Sequence, residues 1–137
     1  MKKVNCILLI DDDPDDNFFH TIIIDESGWC NQVQVAIDGE RALDYLIKAG
    51  EANSSESFPK PDIIYLDINM PRMNGFDFLD AFEKLDEKLK SNIVIVMLTT
   101  SSNPNDKIKA ATYPVVKGFQ NKPLTEEMLR ETIENYF

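Results

Sequence analysis

Five apolar runs of strand length, at residues 4–10, 32–37, 63–66, 93–98 and 115–120, recur along the chain, and a segment of helical periodicity follows each. No other feature restricts the fold so strongly, because strands joined by helix-sized connections run parallel within one sheet. The runs are nearly continuous rather than alternating, which suits strands buried on both faces. The last is the weakest, interrupted by Lys117 and Gly118.

Local punctuation sets the helices. Asp13-Pro14 supplies an N-cap and a proline at the first helical position, predicting a helix to about Ser27 that stops at Gly28. After Asp38-Gly39 a helix places Ala42, Leu43, Leu46 and Ile47 on one face and ends at Gly50. A turn with Pro71 and Gly75 leads to a helix carrying Phe78, Leu79, Phe82 and Leu85. Asn103-Pro104 opens a short helix through Ile108, Ala110 and Ala111. Thr125 caps the last helix, with Glu126 and Glu127 where the dipole favours acids, and with Leu129, Ile133, Tyr136 and Phe137 as its apolar face. Residues 51–61 read as a long polar loop.

The expected architecture is α/β: a doubly wound, five-stranded parallel sheet with helices on both faces. Ligands of such sheets sit at the carboxyl ends of the strands. Asp11, Asp12, Asp67, Thr99, Thr100 and Lys122 all stand at those ends. Acids, hydroxyls and one lysine gathered there suit a magnesium-dependent phosphoryl site.

At 137 residues one domain is expected. With 14 Lys and Arg against 24 Asp and Glu, the net charge of -10 opposes direct binding to nucleic acid or an anionic membrane. No export signal and no membrane span are read. Cys6 lies inside an apolar run, so it and Cys30 are expected to stay unpaired in a reducing cytoplasm.

The runs ILLIDDDP, IIYLDINMPRMNG, VIVMLTTS and FQNKP, in this order, resemble the receiver domain of two-component response regulators. The resemblance covers essentially the whole chain. It implies a flavodoxin-like strand order of 2-1-3-4-5, a single receiver domain over residues 1–137 with no output domain, and a stand-alone, CheY-like signalling protein rather than an enzyme in the usual sense. Asp67 would be the phosphoacceptor, taking a phosphoryl group from a sensor histidine kinase or histidine phosphotransfer protein. Asp12, Asp67 and the backbone carbonyl of Asn69 would bind Mg2+, and Asp11 would hold metal-bound water. The hard ion prefers oxygen donors. Lys122 and Thr99 would contact phosphoryl oxygens, and Lys122-Pro123 resembles the family's cis-proline junction.

The resemblance also implies a switch, in which Thr99 moves and an aromatic, Phe119 here, turns into the vacated space. Many relatives carry tyrosine at that position, so the packing is kept and a phenolic hydroxyl is lost. The last strand and last two helices would meet an unknown downstream protein or a second copy. The 51–61 loop resembles that of receivers paired with phytochrome-type kinases. His20 and Trp29 read as structural, Asp13 as a cap, and Asn69 and Ser101 as positions that tune acyl phosphate lifetime. Two alternatives stand beside this reading: a receiver-shaped interaction module that is never phosphorylated, and a haloacid-dehalogenase-type phosphatase using Asp11-x-Asp13.

Overall fold

The computed structural model describes residues 2–51 and 57–137. Part of the expected 51–61 loop therefore lies outside the described residues. In chain order the elements are β1 (Val4–Ile10), α1 (Pro14–Ser27), β2 (Cys30–Ala36), α2 (Gly39–Ala49), β3 (Ile63–Leu66), α3 (Gly75–Glu83), α4 (Glu87–Lys90), β4 (Val94–Thr99), α5 (Pro104–Ala110), β5 (Val116–Asn121) and α6 (Glu126–Tyr136). All five strands are parallel and lie in the order β2-β1-β3-β4-β5.

The caps predicted at Asp13, Asn103 and Thr125 form, and Asp38 adds one that was not predicted. Asp13 accepts from the N–H groups of Asp15 and Asp16, Asp38 from Arg41, Asn103 from Asn105 and Thr125 from Met128. Gly28 ends α1 with φ at 74°, a backbone conformation that costs glycine least.

One layer of the core, including Leu8, Ile10, Leu46, Ile64, Leu66, Phe78 and Phe82, lies on one side of the sheet. The other, with Ile7, Leu9, Ile24, Tyr65, Val96, Leu129 and Ile133, lies on the opposite side. Strand β3 is buried at every residue, as a central parallel strand requires.

Three expectations need correction, and a fourth gains its cause. The third helix ends before Leu85, and a separate turn, α4, follows it; Leu89 of that turn packs so closely on Gly50 that a methyl there would overlap it. On α2, Ile47 is exposed and Tyr45 is buried in its place, where its hydroxyl donates to the Pro59 carbonyl. On α6, Tyr136 is largely exposed. Strand β5 is weak for a visible reason: β4 steps one residue from Ile95 to Val96 while β5 steps from Val116 to Gly118, so Lys117 is the extra residue of a bulge.

Cys6 and Cys30 are buried free thiols. Burial pushes Cys6 up to about 12 and Cys30 up to about 11, so both stay protonated near neutrality. No helix among the described residues is long and apolar enough to cross a membrane.

Candidate functional site

Backbone hydrogen bonds between strand ends fix the site before any side chain does. Asp11 donates its N–H to the Ala36 carbonyl, Asp67 to that of Ile10, and Lys122 to that of Thr99. Three separate stretches are thereby drawn to one edge of the sheet.

Asp67 is buried, with Oδ1 accepting from the Ile68 N–H at 2.8 Å. Behind it, the Gly75 N–H donates to the Ile68 carbonyl at 2.8 Å. A Cβ on Gly75 would stand 2.5 Å from the Asp67 carbonyl oxygen and 3.0 Å from the Ile68 Cα. Only glycine permits that approach, so α3 begins directly against the backbone that carries Asp67. Asn74 then closes a capping box, accepting from the Asp77 N–H while the Asp77 carboxylate accepts from Asn74.

Asp11 is buried as well, and Oδ1 accepts from the Asp13 N–H at 3.0 Å. Asn17 donates to the Asp11 carbonyl at 2.9 Å, tying α1 to the end of β1. Asp12 is exposed. One oxygen from each of Asp11, Asp12 and Asp67 lies within 4.8 Å of the others, a group of hard oxygen donors that fits magnesium. Asn69 is exposed in the turn two residues past Asp67.

Lys122 reaches this group from just past the end of β5, and the peptide bond that follows it, to Pro123, is cis. Its side chain is only 8% exposed, and Nζ lies 2.6 Å from Asp11 Oδ2, 2.8 Å from Asp16 Oδ2 and 3.4 Å from Asp67 Oδ2. Burial disfavours the ammonium, yet hydrogen bonds to Asp11 and Asp16 and the charge of Asp67 outweigh it, raising the lysine pKa. Asp11 is raised too, because burial and the Asp67 charge exceed the help of Lys122 and the Asp13 N–H. A pair alone would lower the acid; here one ammonium is shared among three carboxylates.

Thr99 is fully buried, and Oγ1 accepts from the Ser101 N–H at 3.2 Å. Ser101 is itself held by Asp106. Phe119, half-buried, lies beside Met97 in the sheet and lines a small cavity of about 180 Å³ with Lys107, Ala110, Val116 and Gly118. His20 is buried on α1, and burial lowers its pKa, with Asp16 opposing and Lys122 assisting.

The predicted Asp11, Asp12, Asp67 and Lys122 are thus brought together, with Thr99 at the neighbouring strand end and Phe119 on β5, three residues before Lys122. Sequence reasoning missed Asp16. Its signal was present in Asp13-Pro14, which fixes the start of α1 and so the direction of the third helical position. Also missed was the clasp in which Arg72, at φ 67°, pairs with buried Asp38 at 3.2 Å and ties the loop after Asp67 to the start of α2.

The family described as the response regulator receiver domain matches residues 7–134. The chemotaxis protein CheY of Pseudomonas aeruginosa is 33% identical over 96% of this chain and 94% of its own. The crystal structure of a two component response regulator from Cytophaga hutchinsonii superposes with a TM-score of 0.83 at 32% identity, covering 98% of each chain. The bacteriophytochrome response regulator RtBRR superposes with a TM-score of 0.74 at 30% identity, over 99% of this chain and 78% of that one.

Proposed function

Because the chain belongs to the response regulator receiver family, we propose that it is a signalling phosphoacceptor in which Asp67 takes a phosphoryl group from a histidine kinase or histidine phosphotransfer protein. The observation that carries this reading is the setting of Asp67, a buried carboxylate beside two others with a lysine ammonium 3.4 Å from Oδ2.

In the proposed step an Asp67 oxygen attacks the phosphorus of a phosphohistidine; the P–N bond breaks and the imidazole nitrogen leaves with the electron pair. The product is an acyl phosphate. Asp11, Asp12 and Asp67, with the Asn69 carbonyl, would hold magnesium, which supplies charge neutralisation between the carboxylate and the incoming group. The Ile68 N–H keeps the Asp67 carboxylate oriented. Lys122 turns a donor toward one phosphoryl oxygen, and the Thr99 hydroxyl toward another. Hydrolysis later returns Asp67 to the carboxylate.

The readout we propose is a change at Thr99 and Phe119 that alters the surface of α5, β5 and α6, where a downstream protein or a second copy would bind. Amide NMR shifts confined to the acid site on adding a phosphoryl mimic, with none at β5 and its flanking helices, would refute this. The receiver match does not favour the phosphatase alternative, whose nucleophile would be Asp11.

Intact mass after incubation with acetyl phosphate tests the central step. One added phosphoryl group, lost without magnesium and lost in Asp67→Asn, is expected. An adduct that persists in Asp67→Asn and disappears in Asp11→Asn would overturn the assignment of the nucleophile. A folded wild type that forms neither this adduct nor a beryllofluoride complex would identify an unphosphorylated interaction module.

A further inference from the structure

We propose that Asp16 is a positioning residue that parks Lys122 away from the phosphoryl position and so tunes how readily the site takes up its phosphoryl group; this rests on the function proposed above. An ammonium has three N–H donors. In Lys122 all three are engaged, by Asp11, Asp16 and Asp67, and the Asp67 contact is the longest at 3.4 Å against 2.6 and 2.8 Å.

Asp16 is free for this because the start of α1 uses other groups. It is the third helical residue, whose acid in a capping box turns back to the N-cap N–H. Asp77 does that on α3. At α1, the Asp13 N–H is already taken by Asp11 Oδ1, while Asp13 caps Asp15 and Asp16 through its own side chain. The Asp16 carboxylate therefore has no local donor to satisfy, and it reaches the lysine 106 residues away in sequence.

A phosphoryl group on Asp67 adds acceptor oxygens that need a Lys122 donor. Of the three carboxylates, Asp67 carries the new group and Asp11 is buried against the lysine, so the Asp16 pair is the one to give way. It is also the least shielded from water, since the Asp16 side chain is 36% exposed. A half-exposed pair is weak, which sets the size of the effect. Asp16 thus holds the ammonium ready and releases it at small cost.

The test is the dissociation constant for beryllofluoride at saturating magnesium, measured for the wild type, Asp16→Asn, Asp16→Glu and Asp15→Asn. Asp15 lies on the same turn but is not a partner of Lys122, so its variant reports the loss of one charge alone. Asp16→Asn is expected to bind beryllofluoride about threefold to tenfold more tightly than the wild type, with Asp15→Asn within about twofold and Asp16→Glu returning toward wild type. Equal affinities for Asp16→Asn and Asp15→Asn, or weaker binding by Asp16→Asn, overturn the role of Asp16 while leaving the proposed function standing. A wild type that binds no beryllofluoride and accepts no phosphoryl group overturns both.

Discussion

Helices α1 and α3 both begin beside the acid site, each behind an Asx N-cap and each with aspartate as its third residue, yet the two starts are used differently. At α3, Asn74 and Asp77 satisfy each other, and the helix end is closed on itself. At α1 the N-cap backbone is bonded to Asp11 and the third acid is turned outward to Lys122. The same local grammar builds a rigid support on one side of the site and an adjustable ionic contact on the other. What separates them is a neighbouring strand end that offers a competing carboxylate, which no propensity within the helix encodes.

The largest effect is expected where the rigid start meets Asp67, the proposed nucleophile. Gly75→Ala puts a methyl 2.5 Å from the Asp67 carbonyl oxygen, and backbone on both sides leaves nothing flexible to yield. A stability loss of about 2–3 kcal/mol is expected, together with slower phosphorylation. Urea denaturation and the acetyl phosphate assay check it. A variant as stable and as fast as the wild type would show that the α3 start does not hold Asp67 in place.

Next in size are the caps. Asp13→Ala and Asn74→Ala should each cost about 1 kcal/mol, because each leaves helix N–H groups without a partner. They should differ in function. Removing the Asp13 side chain leaves the Asp13 N–H to Asp11 bond intact but loosens the turn that aims Asp16, whereas Asn74 supports only α3. Beryllofluoride affinity should therefore change with Asp13→Ala and stay near wild type with Asn74→Ala. Equal changes would erase the distinction between the two starts.

Much of this was legible in the sequence. Apolar runs followed by capped helical periods gave the element order, and strand-end position gave Asp11, Asp12, Asp67, Thr99 and Lys122. The strand order and the assignment of roles came with the resemblance to receivers. What escaped was set by tertiary packing. The turn α4 exists because Leu89 finds Gly50, Tyr45 displaces Ile47 because its hydroxyl has the Pro59 carbonyl to meet, and Asp16 matters because of a lysine brought in by the last strand. Residue periodicity cannot report partners so distant.

The α1 side also buries an ionisable group that α3 lacks. The buried face of α3 is Gly75, Phe76, Phe78, Leu79 and Phe82, whereas α1 buries Asn17, His20 and Ile24. Because the folded state lowers the His20 pKa below its ordinary value near 6.5, unfolded protein takes up the proton first as pH falls. This contribution to stability is present above about pH 6.5 and is lost as pH drops through the lower folded value. His20→Gln should flatten the stability profile from pH 6.5 downward, measured by denaturation at several pH values. An unchanged slope would show that other groups set it.

The smallest expected effect is on the stability of Asp16→Asn itself. Asp77 and Asp16 occupy equivalent helical positions, but only Asp77 satisfies a backbone donor, so Asp77→Ala should cost about 1 kcal/mol. Asp16 makes a half-exposed ion pair with a lysine that keeps two other carboxylates, so its loss should cost about 0.5 kcal/mol or less. Part of even that is offset, because fewer negative charges then crowd Asp11 and Asp67 when no metal is bound. Paired denaturation curves at matched ionic strength, without magnesium, decide the order. If Asp16→Asn were the more damaging of the two, the outward-turned acid would be a structural tie, and α1 would be as rigidly built as α3.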